Sequence, residues 1–277
     1  LQFVLLFCYS VQRCDCAKNH EGSSSTNMTM KPVSISYQDL KDAFGNEMAT
    51  CSAKESLLES IAKAFGPTGL GLLEISDVPP AIVKLRSNVL DMAQTLANLK
   101  DEELEEITVP SSMYSIGWSH GKEQFRGEYD IGKGSFYFDP FHADATKHNV
   151  YPSSMQPQLE GYLLEISNHM AQIGTWVATL CDLYLQEKQE AQYSKEIRSQ
   201  ATSIQESLAG GKYAKGRLLY YFPTEMSDKE NAENKKDESQ IDSWCGWHKD
   251  HSSMTILVPG KIFDDESNQT HKSHDGC

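Results

Sequence analysis

Trp244-Cys-Gly-Trp-His-Lys-Asp-His-Ser-Ser-Met-Thr-Ile-Leu-Val258 is the most informative stretch of the 277-residue chain. The stretch from Trp244 to Pro259 has strand character, which predicts a strand. On a strand, residues two apart point to the same face, so His248 and Asp250 would present an imidazole and a carboxylate side by side. Lys249 and His251 would point the other way.

A histidine and a carboxylate on one face, joined by a third ligand from another strand, can hold non-haem Fe(II) and leave three positions of the metal open. An oxidant, a co-substrate and the substrate would converge on those positions. The pair His-x-Asp alone is a weak signal, and a solvated strand with surface charges is its alternative. The neighbouring sequence favours the metal site, because the strand-like Gly216-Arg-Leu-Leu-Tyr-Tyr-Phe-Pro223 precedes the pair and Ser253-Met-Thr-Ile-Leu257 follows it.

Helical spacing of apolar residues predicts most of the remaining framework. Two short helices are expected between Tyr37 and Phe65, and a long helix from about Ala81 to Leu99. The clearest helix covers 156–186, where its apolar stripe favours packing on a sheet over a coiled coil. A polar helix is expected to continue from it to Leu208.

Strands and loops are predicted between these helices. The run Leu70-Gly-Leu-Leu-Glu-Ile75 is typical of a buried strand. Residues 111–152 are rich in Gly, Ser, Tyr and Phe without helical period, which predicts short strands and loops. Residues 224–243 are almost wholly polar and charged, which predicts a solvated, disordered loop.

Composition narrows the class of partner. The formal charge of −14 argues against nucleic acid or an anionic membrane, so a small-molecule substrate is expected. The seven cysteines are scattered, which indicates reduced thiols rather than a disulfide framework or a zinc site. The sequence contains no G-x-S-x-G elbow, no phosphate-binding G-x-x-x-x-G-K-[ST] loop and no H-E-x-x-H zinc helix.

The apolar run Leu1–Cys8 needs a separate interpretation. It is shorter than the roughly 20 residues of a membrane-spanning helix. No basic region precedes it, so we favour a leader or non-native extension over residues 1–30, with a truncated signal peptide as the alternative. The folded protein is then expected to begin near Met28, and the cytoplasm is the expected localisation.

Four segments carry a resemblance to a known family. They are Ser115-Ile-Gly-Trp-Ser-His-Gly-Lys-Glu123, Lys133-Gly-Ser-Phe-Tyr137, Lys215-Gly-Arg-Leu-Leu-Tyr-Tyr-Phe-Pro223 and Trp244-Cys-Gly-Trp-His-Lys-Asp-His251. With these segments the chain resembles the isopenicillin-N-synthase-like or clavaminate-synthase-like Fe(II)/2-oxoglutarate-dependent oxygenases. More closely, it resembles an uncharacterised eukaryotic branch typified by plant proteins.

The resemblance implies roles for particular residues. His248 and Asp250 would be iron ligands, and Tyr221, in the Tyr-Tyr-x-Pro motif, would lie near 2-oxoglutarate. It also implies an α+β fold, a double-stranded β-helix or distorted jelly roll, with helices packed on its outer face. Arg217 is expected to form a structural salt bridge rather than to bind a carboxylate. His120 would either line the substrate pocket or occupy a turn.

The chain departs from the family after Asp250. In relatives, further strands carry a distal histidine and a 2-oxoglutarate-binding arginine, and closing the barrel takes about 40 residues or more. Only residues 251–277 follow Asp250 here. The jelly roll is therefore expected to be incomplete at the C-terminus, with the missing ligands beyond Cys277. His271 and His274 lie in a polar tail and are not expected to bind metal.

These observations give four expected segments. After the leader come 31–223, the helical and N-terminal part of an oxygenase domain, the polar loop 224–243, and 244–277, the metal-binding strand and truncated end. The full-length protein is expected to be a dioxygenase that uses Fe(II), 2-oxoglutarate and molecular oxygen to oxidise, by hydroxylation, an unknown organic substrate. The alternative is a catalytically inactive fragment or a binding protein on the same scaffold.

Overall fold

The structure is a computed structural model that describes residues 3–9, 31–45, 51–122, 124–125, 128–141, 148–192, 203–208, 214–223, 250 and 252–263. Backbone alone is described for 3–9, 51–53, 124–125, 128 and 188–192. The predicted polar loop 224–243 and four histidines of the sequence analysis lie outside the described residues, namely His248, His251, His271 and His274.

The helices follow the apolar periodicity of the sequence. They are α1 (Tyr37–Gly45), α2 (Cys51–Phe65), α3 (Pro80–Ala97), α4 (Asp101–Glu106), α5 (Gln158–Gln192) and α6 (Ile204–Leu208). The two short helices, the long helix near 81–99 and the long amphipathic helix are thereby confirmed.

The predicted polar continuation of α5 to Leu208 is wrong, because α6 begins as a new helix. The Asp182 carboxylate accepts hydrogen bonds from the Ile204 and Gln205 amides at 2.8 and 2.9 Å, and from Ser203 Oγ at 2.7 Å. Those amides have no partner within α6, since the first turn of a helix leaves its N–H groups without acceptors. A side chain of α5 therefore caps the start of α6.

The strands are β1 (Phe3–Tyr9), β2 (Val33–Ser36), β3 (Leu73–Ser76), β4 (Gly117–His120), β5 (Gln124–Phe125), β6 (Glu128–Tyr129), β7 (Lys133–Phe138), β8 (Ala214–Tyr221) and β9 (Met254–Val258). The short strands predicted within 111–152 correspond to β4–β7. The chain forms two compact units. We call Leu1–Tyr9, Lys84–Asn168 and Gly211–Cys277 the sheet unit, and Ser10–Val83 with His169–Gly210 the helical unit.

In the helical unit, β2 and β3 pair in parallel, and Trp176 of α5 contacts two aromatic rings of α1. Its ring stacks on Phe44, with centroids 6.3 Å apart, and meets Tyr37 at 5.9 Å. The predicted buried strand over Leu70–Ile75 needs correction, because β3 begins only at Leu73 and is half-buried. Gly71 has a φ of +70°, which turns the chain just before the strand.

The sheet unit contains a five-stranded sheet in the order β4-β7-β8-β1-β9, with every neighbouring pair antiparallel. β1 lies between β8 and β9, so the apolar run at the start of the chain forms a strand inside the sheet. That residues 1–30 are a leader or non-native extension stays a prediction. The pairing of Phe3–Tyr9 differs from the expectation that the fold begins near Met28.

The strand register gives the sheet two different faces, because residues directly opposite each other on neighbouring strands share a face. One face, here the aromatic face, carries the buried side chains Trp118, Phe136, Phe138, Leu218 and Tyr220. The other, here the polar face, carries Ser119, Lys133, Ser135, Tyr137, Arg217 and Tyr221. Polar chemistry is therefore gathered on one side of the sheet.

The mixed helix and sheet content confirms the α+β class. The double-stranded β-helix is not confirmed, because the described strands form one five-stranded sheet and two two-stranded ones. It stays a prediction. Within the described ranges, no helix is both long and apolar enough to cross a membrane.

The expectation of reduced thiols can be checked at Cys181 of α5, which is buried and free. Burial raises the pKa of this thiol to about 11, and the neighbouring Asp182 carboxylate acts in the same direction. Cys181 is therefore an unreactive structural thiol.

Candidate functional site

Asp250 is the predicted metal ligand whose side chain the structure describes. It is exposed and precedes β9, with a bend at Ser252 and Ser253 between them. Its Oδ2 accepts a hydrogen bond from Thr255 Oγ1 at 2.8 Å. Thr255 Oγ1 in turn lies 2.9 Å from Ser252 Oγ. The carboxylate is therefore held to the first residues of β9 while solvent reaches it.

The prediction that one strand runs through Asp250 is wrong, because β9 begins only at Met254. Short polar side chains that bond to one another locally compete with the hydrogen-bond ladder of a strand, and Ser252 and Thr255 do so here. The alternation of side chains along a strand thus does not orient Asp250. His248 lies outside the described residues, so a shared face of His248 and Asp250 stays a prediction.

The other end of β9 is fixed to α3. Arg86 donates from Nε to the Pro259 carbonyl at 2.6 Å and from Nη2 to the Gly260 carbonyl at 2.5 Å. Lys261 forms an ion pair with Asp91, one helical turn further along α3. A planar guanidinium suits two consecutive carbonyls because its donors form a rigid fork. The segment after β9 is thereby tied to a helix of the same unit.

Tyr221 ends β8 on the polar face and is only 6% exposed. Its partner on β7 is Lys133. The Lys133 ammonium forms an ion pair with Asp130 at 2.8 Å, and both side chains are 19% exposed. The predicted co-substrate residue therefore lies beside a half-buried pair of charges at one end of the sheet.

The register separates Tyr221 from Asp250. Thr255, which holds Asp250, pairs with Cys8 of β1, and Cys8 pairs with Lys215 of β8. Tyr221 lies six residues beyond Lys215, which is about 20 Å along a strand. The structure therefore does not bring these two predicted site residues together.

Arg217 lies in the middle of the polar face. It donates from Nε and Nη2 to Ser135 Oγ at 3.2 and 2.8 Å, and its guanidinium lies 4.9 Å from the centre of the Tyr137 ring. The Lys215 ammonium lies 5.3 Å from the same ring. Sequence reasoning missed this cluster, and the expected salt bridge of Arg217 stays a prediction. The only sequence signal for it was that Ser135 and Tyr137, two residues apart on a strand, share a face.

His120 is the last residue of β4 and contacts Ile131, which precedes β7. Its Nε2 lies 2.9 Å from the Ile131 carbonyl oxygen, so Nε2 must carry the proton that it donates. The ring stacks on Phe222, with centroids 4.7 Å apart. His120 pairs with Gly134, which places it on the aromatic face, opposite to Tyr221. These contacts give His120 a structural role at the end of β4, and a place in a substrate pocket stays a prediction.

The described side chains can be compared with the set of ligands that a metal ion requires. Among the described side chains, no group of three or more His, Cys, Asp and Glu residues could hold a metal ion. Asp250 alone fits one position, since an exposed carboxylate held by a hydrogen bond is a suitable oxygen donor for Fe(II). The remaining ligands would have to come from outside the described residues, as His248 would.

A scan against protein-family models gives no match, and a search of curated proteins gives none either. Among solved structures, the chain is similar to a protein from Caulobacter crescentus named a "putative 2OG-Fe(II) oxygenase family protein". The sequence identity is 17% and the TM-score is 0.47. The similarity covers 72% of this chain and 59% of that one, so the chain spans less than two thirds of that protein's length.

Proposed function

We propose that the chain is part of a non-haem Fe(II) and 2-oxoglutarate-dependent oxygenase whose full-length form hydroxylates a small organic molecule. The observation that supports this most directly is the exposed Asp250 carboxylate, held by Thr255 and two residues after His248 in the His-x-Asp pair. The order of the four motif segments along the chain supports the same reaction class.

In this proposal His248 and Asp250 hold Fe(II) through an imidazole nitrogen and a carboxylate oxygen. Fe(II), when bound with 2-oxoglutarate and oxygen, supplies the oxidising chemistry. The protein's own contribution is to fix the direction of the ligands. Thr255 does this for Asp250. Arg86 of α3, which binds the Pro259 and Gly260 carbonyls, and Lys261, which pairs with Asp91 of α3, fix the far end of the strand on which Thr255 lies.

Tyr221 is proposed to contact the co-substrate. A phenol can donate a hydrogen bond to a carboxylate, and Tyr221 lies beside the ion pair of Lys133 and Asp130. The distance of about 20 Å along β8 counts against this role, because 2-oxoglutarate bound to a metal at Asp250 would also have to reach Tyr221.

The same separation favours a second candidate function. A protein on this scaffold could bind a metal through His248 and Asp250 without oxygenase activity. Tyr221 would then only complete the polar face of the sheet.

Anaerobic titration of the full chain with Fe(II) in the presence of 2-oxoglutarate distinguishes the two functions. The oxygenase predicts a weak visible charge-transfer band that His248→Ala and Asp250→Ala abolish and Tyr221→Phe weakens. His169→Gln, in the half-buried part of α5, is the matched control and should keep the band. Fe(II) binding without the band supports the second function, and no Fe(II) binding by the folded chain contradicts both.

A further inference from the structure

Three side chains around the start of β9 form a directed chain of hydrogen bonds. Thr255 Oγ1 lies 2.8 Å from Asp250 Oδ2 and 2.9 Å from Ser252 Oγ. An ionised carboxylate only accepts hydrogen bonds, so Thr255 must give its single hydroxyl proton to Asp250. Ser252 must then donate to Thr255. The geometry therefore fixes a direction, from Ser252 to Thr255 to Asp250.

Thr255 is the rigid member of this chain. It is half-buried on β9, and its backbone pairs with Cys8 of β1. A β-branched side chain on a strand has few χ1 rotamers, so its hydroxyl keeps one direction. Asp250, in contrast, is exposed and lies outside every described strand. The hydrogen bond from Thr255 thus links an exposed carboxylate to a residue whose own position is fixed by the sheet.

We propose that Thr255 is a positioning residue for Asp250, and that Ser252 keeps the Thr255 hydroxyl aimed at the carboxylate. This inference rests on the proposed role of Asp250 as a metal ligand. A carboxylate held in one orientation loses less conformational freedom when it binds a metal ion. Removing a hydrogen bond to a metal ligand typically lowers the metal affinity about 10- to 100-fold.

A purely structural role for the same contacts makes a different prediction. If the hydrogen bonds only stabilise the turn from Asp250 to Thr255, their loss lowers the stability of the protein and leaves the affinity of the folded protein for metal unchanged. Metal affinity therefore separates the two roles, and it does so without any measurement of turnover.

The test uses Mn(II), which does not oxidise in air, and follows free Mn(II) by electron paramagnetic resonance in the presence of the full chain. Thr255→Val keeps the β-branched shape but removes the hydroxyl, and should weaken Mn(II) binding about 10-fold or more. Thr255→Ser restores the hydroxyl and should recover most of the affinity. Ser253→Ala removes an exposed hydroxyl with no contact to Asp250, and should leave the affinity unchanged.

The outcomes separate this inference from the proposed function. If Asp250→Ala abolishes Mn(II) binding and Thr255→Val does not weaken it, the positioning role is overturned while the metal site stands. If Asp250→Ala leaves Mn(II) binding unchanged, the proposed metal site fails and the positioning role with it. Should Thr255→Val fail to fold, Ser252→Ala provides the test. Ser252→Ala leaves the Thr255 hydroxyl in place. A loss of Mn(II) affinity smaller than the one expected for Thr255→Val supports the inference, and an unchanged affinity overturns it.

Discussion

Two glycines make room for aromatic rings on the aromatic face. A Cβ atom at Gly134 would lie 2.2 Å from Cη2 of Trp118, and one at Gly216 would lie 2.3 Å from Cζ of Phe138. Both rings are buried. Contacts this short do not occur, so a larger residue at either position would displace a ring or a strand. Both glycines belong to motif segments of the sequence, and ring packing is the physical reason for them.

Gly134→Ala is therefore expected to lower the free energy of unfolding by about 1–3 kcal/mol, the usual cost of overpacking a core. Urea denaturation followed by circular dichroism measures this change. Gly161→Ala is the matched control, because a Cβ there meets nothing within 4 Å. Gly161 lies in α5, where alanine is a better helix former than glycine. The free energy of unfolding of the control should therefore rise by up to about 1 kcal/mol. Equal stability of Gly134→Ala and the wild type would show that the Trp118 ring lies elsewhere.

At the residue scale, part of the candidate site can be predicted from sequence. His248 and Asp250 are predicted from the His-x-Asp pair and Tyr221 from the family resemblance, and their roles stay predictions. Thr255 and Ser252 could not be predicted as partners of Asp250, because their contacts depend on a bend that no side-chain periodicity indicates. The separation of Tyr221 from Asp250 could not be predicted from the sequence either, because it depends on β1 lying between β8 and β9.

Among the elements, β1 shows how a short apolar run can be interpreted in two ways. A hydrophobic leader and a buried strand have the same composition over seven residues. In the structure, Phe3–Tyr9 pairs along its whole length with β8 and over Leu5–Tyr9 with β9. Only the non-local choice of partner strands decides between the two interpretations, and a sequence pattern contains no signal for that choice.

The variant Leu6→Pro tests the place of β1. Leu6 pairs with Arg217 on one side and Leu257 on the other. Proline lacks the N–H group and is excluded from central strands, so the free energy of unfolding should fall by about 2 kcal/mol or more. Leu6→Ile is the control and should change it little. If Leu6→Pro unfolds at the same urea concentration as the wild type, β1 does not pair in solution and the leader interpretation gains support.

Helices were easier to predict than strands for a physical reason. A periodicity of 3.6 residues that repeats over many turns, as in α5, fits a helix and hardly any other secondary structure. β9 has only the five residues Met254–Val258, and its start is set by the side-chain contacts of Ser252 and Thr255 rather than by composition. The strand predicted through Asp250 thus did not give the start of β9 at Met254.

For the whole molecule, the α+β class follows from the sequence, whereas the topology does not. The order β4-β7-β8-β1-β9 inserts the first strand of the chain between two of the last. The result is a sheet with cationic side chains such as Lys133 and Arg217 on one face of a protein whose formal charge is −14. Lys133 is paired with Asp130, and Arg217 contacts Ser135 and Tyr137, so the register gathers polar contacts on this face.

The central claim is that His248 and Asp250 bind the same metal ion, and a double-mutant cycle of Fe(II) affinity tests it most directly. Anaerobic calorimetric titration would compare the wild type, His248→Ala, Asp250→Ala and the double variant. Residues that share one ion are coupled, so the double variant should bind Fe(II) no more weakly than the weaker single variant. Losses that add, or no loss in either single variant, would contradict the claim.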